Sequence, residues 1–193
     1  MKKTNVQKKE QMFDFQNNAA RVMRHFFMNP QAEFTLTEVA ERTGLSKATL
    51  SRILSKLRVC DLLDITELGP SYRIRAKNNR TFRKEKIAYN FSAVMRSDIV
   101  EKLVSRFHEP KAIVLYGSFR KGEDAPGSDV DIAIEVAEGP GTRFPPTNDF
   151  HDFERITGRK VNIHVFSRKE IDINVFENIA NGFILYGFLE VSK

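Results

Sequence analysis

Cysteine is almost absent from this chain: Cys60 is the single one in 193 residues. One thiol excludes an internal disulfide and a multi-cysteine zinc site, and its apolar neighbourhood predicts a buried filler. Long hydrophobic runs are missing as well. No stretch approaches the roughly 18 to 20 apolar residues that span a bilayer, and Met1-Lys2-Lys3 leads into polar residues instead of an apolar signal segment. The reading is a cytoplasmic chain without a membrane partner. Histidine is sparse, and His25, His108 and His151 show no metal-ligand spacing. Acidic residues are scarce in one half only. Residues 1–90 hold 18 Lys and Arg against 9 Asp and Glu, a net of +9, whereas residues 91–193 hold 13 against 16, a net of −3. The basic half suits a polyanion, and charge alone does not choose among DNA, RNA and an acidic protein. At 41% apolar composition, the length allows one or two domains with ordinary cores.

Pattern, unlike charge, does discriminate in the basic half. Met12, Phe15, Ala19, Val22 and Phe26 recur at steps of three and four and predict a helix from about residue 9 to 27, ending near Asn29-Pro30. Thr35-Leu36-Thr37-Glu38 has the form of a capping box, so a second helix starts there and stops at Thr43-Gly44. Ser46 caps a third, which carries Leu50, Ile53, Leu54 and Leu57 on one face. Two short helices around a glycine turn suggest a helix-turn-helix. Residues 62–66 and 71–76 then read as strands around Leu68-Gly69-Pro70, with Tyr72 and Ile74 facing inward and Arg73 and Arg75 outward. Phe34 to Leu63 resembles the winged helix-turn-helix of prokaryotic regulators, most closely in Leu45-Ser46-Lys47-Ala48-Thr49-Leu50-Ser51-Arg52. The resemblance implies duplex DNA as partner, and a homodimer is one arrangement open to the module. Ser46, Lys47, Thr49, Ser51 and Arg52 would serve the groove and phosphates, and Arg73 and Arg75 the wing. The other reading is a dimer or protein-partner module.

Lys77-Asn78-Asn79-Arg80-Thr81-Phe82-Arg83-Lys84-Glu85-Lys86 is polar and basic and reads as the boundary. The division is a first domain over 1–78, a linker over 79–91 and a second domain over 92–193. Ile99, Val100, Leu103, Val104 and Phe107 form a helical stripe suited to covering a sheet.

The second half holds the most specific pattern. Val114-Leu115-Tyr116 is an apolar strand ending in Gly117-Ser118, followed ten residues on by Asp129-Val130-Asp131-Ile132-Ala133-Ile134. Alternation along a strand sends Asp129 and Asp131 to one side and their apolar neighbours to the other. Two adjacent carboxylates repel unless a cation lies between them, and oxygen ligands of this kind suit Mg2+ shared with substrate phosphates. Gly117 lets the backbone turn and approach an anion, Ser118 can open a helix, and Arg120 and Lys121 add positive charge. Gly117-Ser118-Phe119-Arg120-Lys121-Gly122 with Ser128-Asp129-Val130-Asp131 resembles the minimal nucleotidyltransferases of the polymerase-beta superfamily. That resemblance spans about residues 92 to 190. It implies binding of a nucleoside triphosphate such as ATP, with Asp129 and Asp131 on the metal, Gly117 and Ser118 seating phosphates and Arg120 neutralising them.

The superfamily's third carboxylate has no acid here. The matching strand is Lys160-Val161-Asn162-Ile163-His164-Val165-Phe166, with Asn162 at the expected catalytic position and His164 on the same face. A Gly/Pro-rich stretch, residues 138–146, follows the aspartates, and its Arg143 is either a substrate contact or part of a solvated loop. The fold class is thus α/β (α+β), a winged helix-turn-helix followed by a small mixed-sheet nucleotidyltransferase domain. Two functions stand. One is magnesium-dependent transfer of a nucleoside monophosphate to an unknown hydroxyl acceptor, which the resemblance permits to be a partner protein. The alternative is a DNA-binding transcriptional regulator whose second domain senses nucleotide without turning it over.

Overall fold

The computed structural model describes residues 5–69, 71–108, 110–137 and 150–191, with side chains from residue 17 onward. Met12, Phe15 and Pro70, like the 138–146 stretch with Arg143, therefore have no described side chains. The chain forms two compact units, Met1–Phe82 and Arg83–Lys193.

The first unit runs α1 (Asn5–Met28), β1 (Glu33–Thr35), α2 (Leu36–Thr43), α3 (Lys47–Val59), β2 (Leu63–Leu68) and β3 (Ser71–Ala76). The capping box forms. Thr35 Oγ1 accepts from the Glu38 N–H at 3.2 Å while Glu38 accepts from the Thr35 N–H at 2.7 Å. Leu50, Ile53, Leu54 and Leu57 are the buried face of α3, packed in one unit with Val22, Phe26, Phe34 and Val39. Each such side chain contributes about 1.5–3 kcal/mol through lost water contact. The strands pair in the order β1-β3-β2, all antiparallel.

Two readings of this unit change. Cys60 is exposed, because α3 ends at Val59 and the chain turns at Asp61, whose φ is 61°. Tyr72 is 39% exposed while Ile74 is fully buried. Ile74 pairs with Phe34 and Ile65, whereas Tyr72 pairs with Glu67 beside the hairpin tip, beyond the core.

The segment 79–91, read as a linker, is helical from Arg80 onward. It lies in α4 (Arg80–Met95), where Phe82, Lys86, Asn90 and Val94 form a buried stripe at steps of four. Two of the four are polar, which hides the stripe from a hydrophobicity reading.

After α4 the second unit continues with α5 (Ile99–Arg106), β4 (Ala112–Tyr116), α6 (Gly117–Lys121), β5 (Asp129–Glu135), α7 (His151–Thr157), β6 (Lys160–Phe166), α8 (Ile173–Ala180) and β7 (Phe183–Gly187). The sheet order is β6-β5-β4-β7. β4 pairs antiparallel with both β5 and β7, and β5 pairs parallel with β6. One face packs Ile113, Leu115, Ile132, Ile134 and Ile163 against Val94, Ile99, Leu103, Phe119 and Phe153 from α4 to α7. On the other, Ala112, Val114, Ala133 and Phe166 pack against Phe176 and Ile179 of α8. The central strands are therefore apolar on both sides over most of their length.

Candidate functional site

On the α8 face, alternation leaves polar residues at one end of the sheet. Asp129 and Asp131 occupy β5, and the parallel register sets Lys160 beside Asp129, Asn162 beside Asp131 and His164 beside Ala133. On β4, Tyr116 lies across from Asp131. Asp129 is exposed and Asp131 half-buried.

Asp131 accepts a hydrogen bond on one oxygen and holds the other close against the Gly117 backbone. Asn162 Nδ2 donates to its Oδ1 at 3.0 Å, and a Cβ added to Gly117 would meet its Oδ2 at 2.2 Å. Gly117 also has φ of 73°, a backbone region costly for a residue with a Cβ. Both facts require glycine at this point. Burial raises the Asp131 carboxyl above its ordinary range, the Asn162 hydrogen bond opposes the rise, and the charge of Asp129 adds to it. Tyr116 is pushed up to about 12, first by burial and then by Asp131, so its phenol stays protonated at neutral pH. His164 is lowered by burial and is a neutral imidazole there.

Ser118 lies in the first turn of α6, and its carbonyl accepts from the Glu123 N–H at 3.0 Å. Arg120 is held elsewhere. Its guanidinium carbon sits 4.7 Å from the Phe183 ring centroid, and Phe183 packs with the opposite face of the sheet. The cation with a register position next to the carboxylates is Lys160, exposed beside Asp129. Neither Lys160 nor Tyr116 stands out in sequence as a site residue, because cross-strand register puts them there.

Among the described residues no group of three or more His, Cys, Asp or Glu side chains could hold a metal ion. Asp129 and Asp131 are two hard oxygen donors on one face of β5, a pair of the kind that suits magnesium shared with phosphate.

In the first unit Lys47, Ser51 and Arg52 are exposed on α3. Ser46 and Thr49 serve the cap: Ser46 Oγ accepts from the Thr49 N–H at 3.2 Å and lies 3.0 Å from Thr49 Oγ1. Arg73 pairs with Glu33 at 3.0 Å and Arg75 with Asp64 at 3.4 Å. Both arginine side chains are more than half exposed, so these pairs are worth little and can be exchanged.

Comparison with known proteins agrees with both halves. The nucleotidyltransferase domain family matches residues 96–182, and the IclR helix-turn-helix domain family matches residues 17–64. α4 overlaps neither stretch. No curated protein matches. Among solved structures, this chain is similar to NolR from Sinorhizobium fredii at 17% identity, over 55% of this chain and 97% of that one, with a TM-score of 0.27.

Proposed function

We propose, for a chain that carries a nucleotidyltransferase domain behind an IclR-type helix-turn-helix domain, that the first unit binds duplex DNA and the second binds a magnesium nucleoside triphosphate and transfers its nucleoside monophosphate to a hydroxyl. The observation that carries this reading is the turn at Gly117, which brings the backbone against Asp131, with Asp129 on the same strand face. Asp129 and Asp131 would hold the metal, and the turn at Gly117-Ser118 would receive phosphate oxygens. Bound magnesium supplies neutralisation of phosphate charge. In the transfer, the acceptor oxygen bonds the α-phosphorus, pyrophosphate leaves, and the hydroxyl proton passes to a base. His164, neutral and on the face of Asn162, is this chain's candidate for that proton.

A second reading has its own observation. Asn162 supplies an amide in place of a third carboxylate and occupies one oxygen of Asp131, which favours a regulator that binds nucleotide without turning it over. Turnover of labelled triphosphate, run beside equilibrium binding with and without magnesium, separates the two. Label transfer to an acceptor with pyrophosphate release supports the transferase. Magnesium-dependent binding without release supports the sensor, and equal binding by wild type and an Asp129→Ala, Asp131→Ala variant would falsify both.

A further inference from the structure

α4 turns one face, Arg83, Lys86, Ile87 and Asn90, to the stretch 119–124 between the glycine-serine turn and the aspartate strand. At Gly122, whose φ is 68°, a Cβ would lie 3.0 Å from the Arg83 carbonyl oxygen and 3.0 Å from Ile87 Cγ1. Arg83 pairs with Glu123 at 3.1 Å. Asn90 Nδ2 donates to the Phe119 carbonyl and to Asp124 Oδ1, both at 2.8 Å. Lys86 Nζ lies 3.0 Å from Asp124 Oδ1 and donates to the Asp124 carbonyl. From the other side Arg159 brings Nε to 3.1 Å and Nη2 to 3.0 Å of Asp124 Oδ2. Arg159 directly precedes Lys160, the register neighbour of Asp129.

Lys86, Asn90, Asp124 and Arg159 are between 1% and 5% exposed. Two buried cations share one carboxylate, so removing the Asp124 side chain would take the ion-pair partner from Lys86 and one partner from Arg159, which also donates to the Gly158 carbonyl at 3.2 Å. A well-packed apolar group could serve stability as well as such a cluster does. What apolar groups could not do is fix both oxygens and the carbonyl of one loop residue in a single orientation.

We propose that Asp124, Lys86, Asn90 and Arg159 are positioning residues that latch the loop 117–129, and that the latch sets the protein's affinity for the triphosphate. The proposal rests on the reading that the Asp129 and Asp131 face binds magnesium nucleotide. Asp124 and Arg159 lie inside the stretch that the nucleotidyltransferase family matches, and Lys86 and Asn90, on α4, lie outside it.

The test uses the full chain, with magnesium ATP and magnesium GTP as probes in titration calorimetry. Asn90→Ala should raise Kd about tenfold, equivalent to about 1.4 kcal/mol, at a temperature where the variant remains folded. Phe153→Leu, a core change in the same unit, should lower Tm comparably and leave Kd unchanged. Unchanged Kd for Asn90→Ala, or the same loss in Phe153→Leu, overturns the latch. If the wild type binds neither nucleotide, the reading of the site fails on its own. The latch then stands or falls on amide hydrogen exchange. Asn90→Ala must speed exchange over 117–129 while residues 112–116 stay protected, and a uniform change across both overturns it.

Discussion

If Asp131 holds the metal as proposed, fold stability and ligand chemistry oppose each other there. Burial raises its carboxyl, so the folded chain keeps that proton to a higher pH than the unfolded chain does. The sign follows from this. The contribution is fully present below the ordinary carboxylate pKa and is lost as pH rises through the raised value. At neutral pH, without metal, the partly buried charge costs stability. Asp131→Asn should therefore raise Tm while magnesium-nucleotide binding disappears. A Tm lowered at pH 7 by this change would show that the Asn162 hydrogen bond outweighs desolvation. Gly117 gives the complementary case. Gly117→Ala inserts a Cβ 2.2 Å from Asp131 Oδ2 at positive φ, so the turn or the carboxylate must move. The cost is about 1 kcal/mol or more from backbone strain alone, read by urea unfolding, together with loss of nucleotide binding.

Helix caps and strand register act at the scale of the element. The reciprocal pair of Thr35 and Glu38 satisfies two amides at the start of α2. Thr35→Ala should cost about 1 kcal/mol, measured as a shift in the urea midpoint with unchanged slope. In the sheet, the parallel register of β5 and β6 aligns Asn162 with Asp131. Asn162→Asp would set a third carboxylate beside the pair. Repulsion should lower Tm without magnesium, and added magnesium should recover it while triphosphate turnover rises. A wild type that is already fast, slowed by this substitution, would count against the role given to Asn162.

At the scale of the whole molecule the governing quantity is the uneven charge, +9 over residues 1–90 against −3 over the rest. Cationic binding to duplex DNA releases counterions, so affinity should fall linearly with salt on logarithmic axes. Each of Lys47→Ala and Arg52→Ala should reduce that slope by roughly 0.9 if the side chain meets a phosphate. Either should relax sequence preference by about 1 to 3 kcal/mol if it meets a base. Filter binding of the full chain across a salt series reads both. No affinity at low salt would leave the first unit as a protein-contact module.

How much of this was legible in the sequence follows from the range of the interactions involved. The capping box, the α3 stripe and the alternation of Asp129 and Asp131 depend on residues within one turn or one strand, and all three appear as read. Cys60 and Tyr72 are exposed against expectation because burial at the end of an element depends on where the chain turns next. α4 reads as a linker because half of its buried stripe is charged or amide, and its polar members find their partners, Asp124 and the Phe119 carbonyl, about thirty or more residues away. The placement of Lys160 and Tyr116 beside the aspartates comes from pairing between strands, and that of Arg120 on Phe183 from packing across the sheet. Local pattern thus determined the kinds of element and the residue types of the site. Tertiary structure alone decided which polar side chains meet, because a buried charge is tolerable only where distant segments bring it a partner.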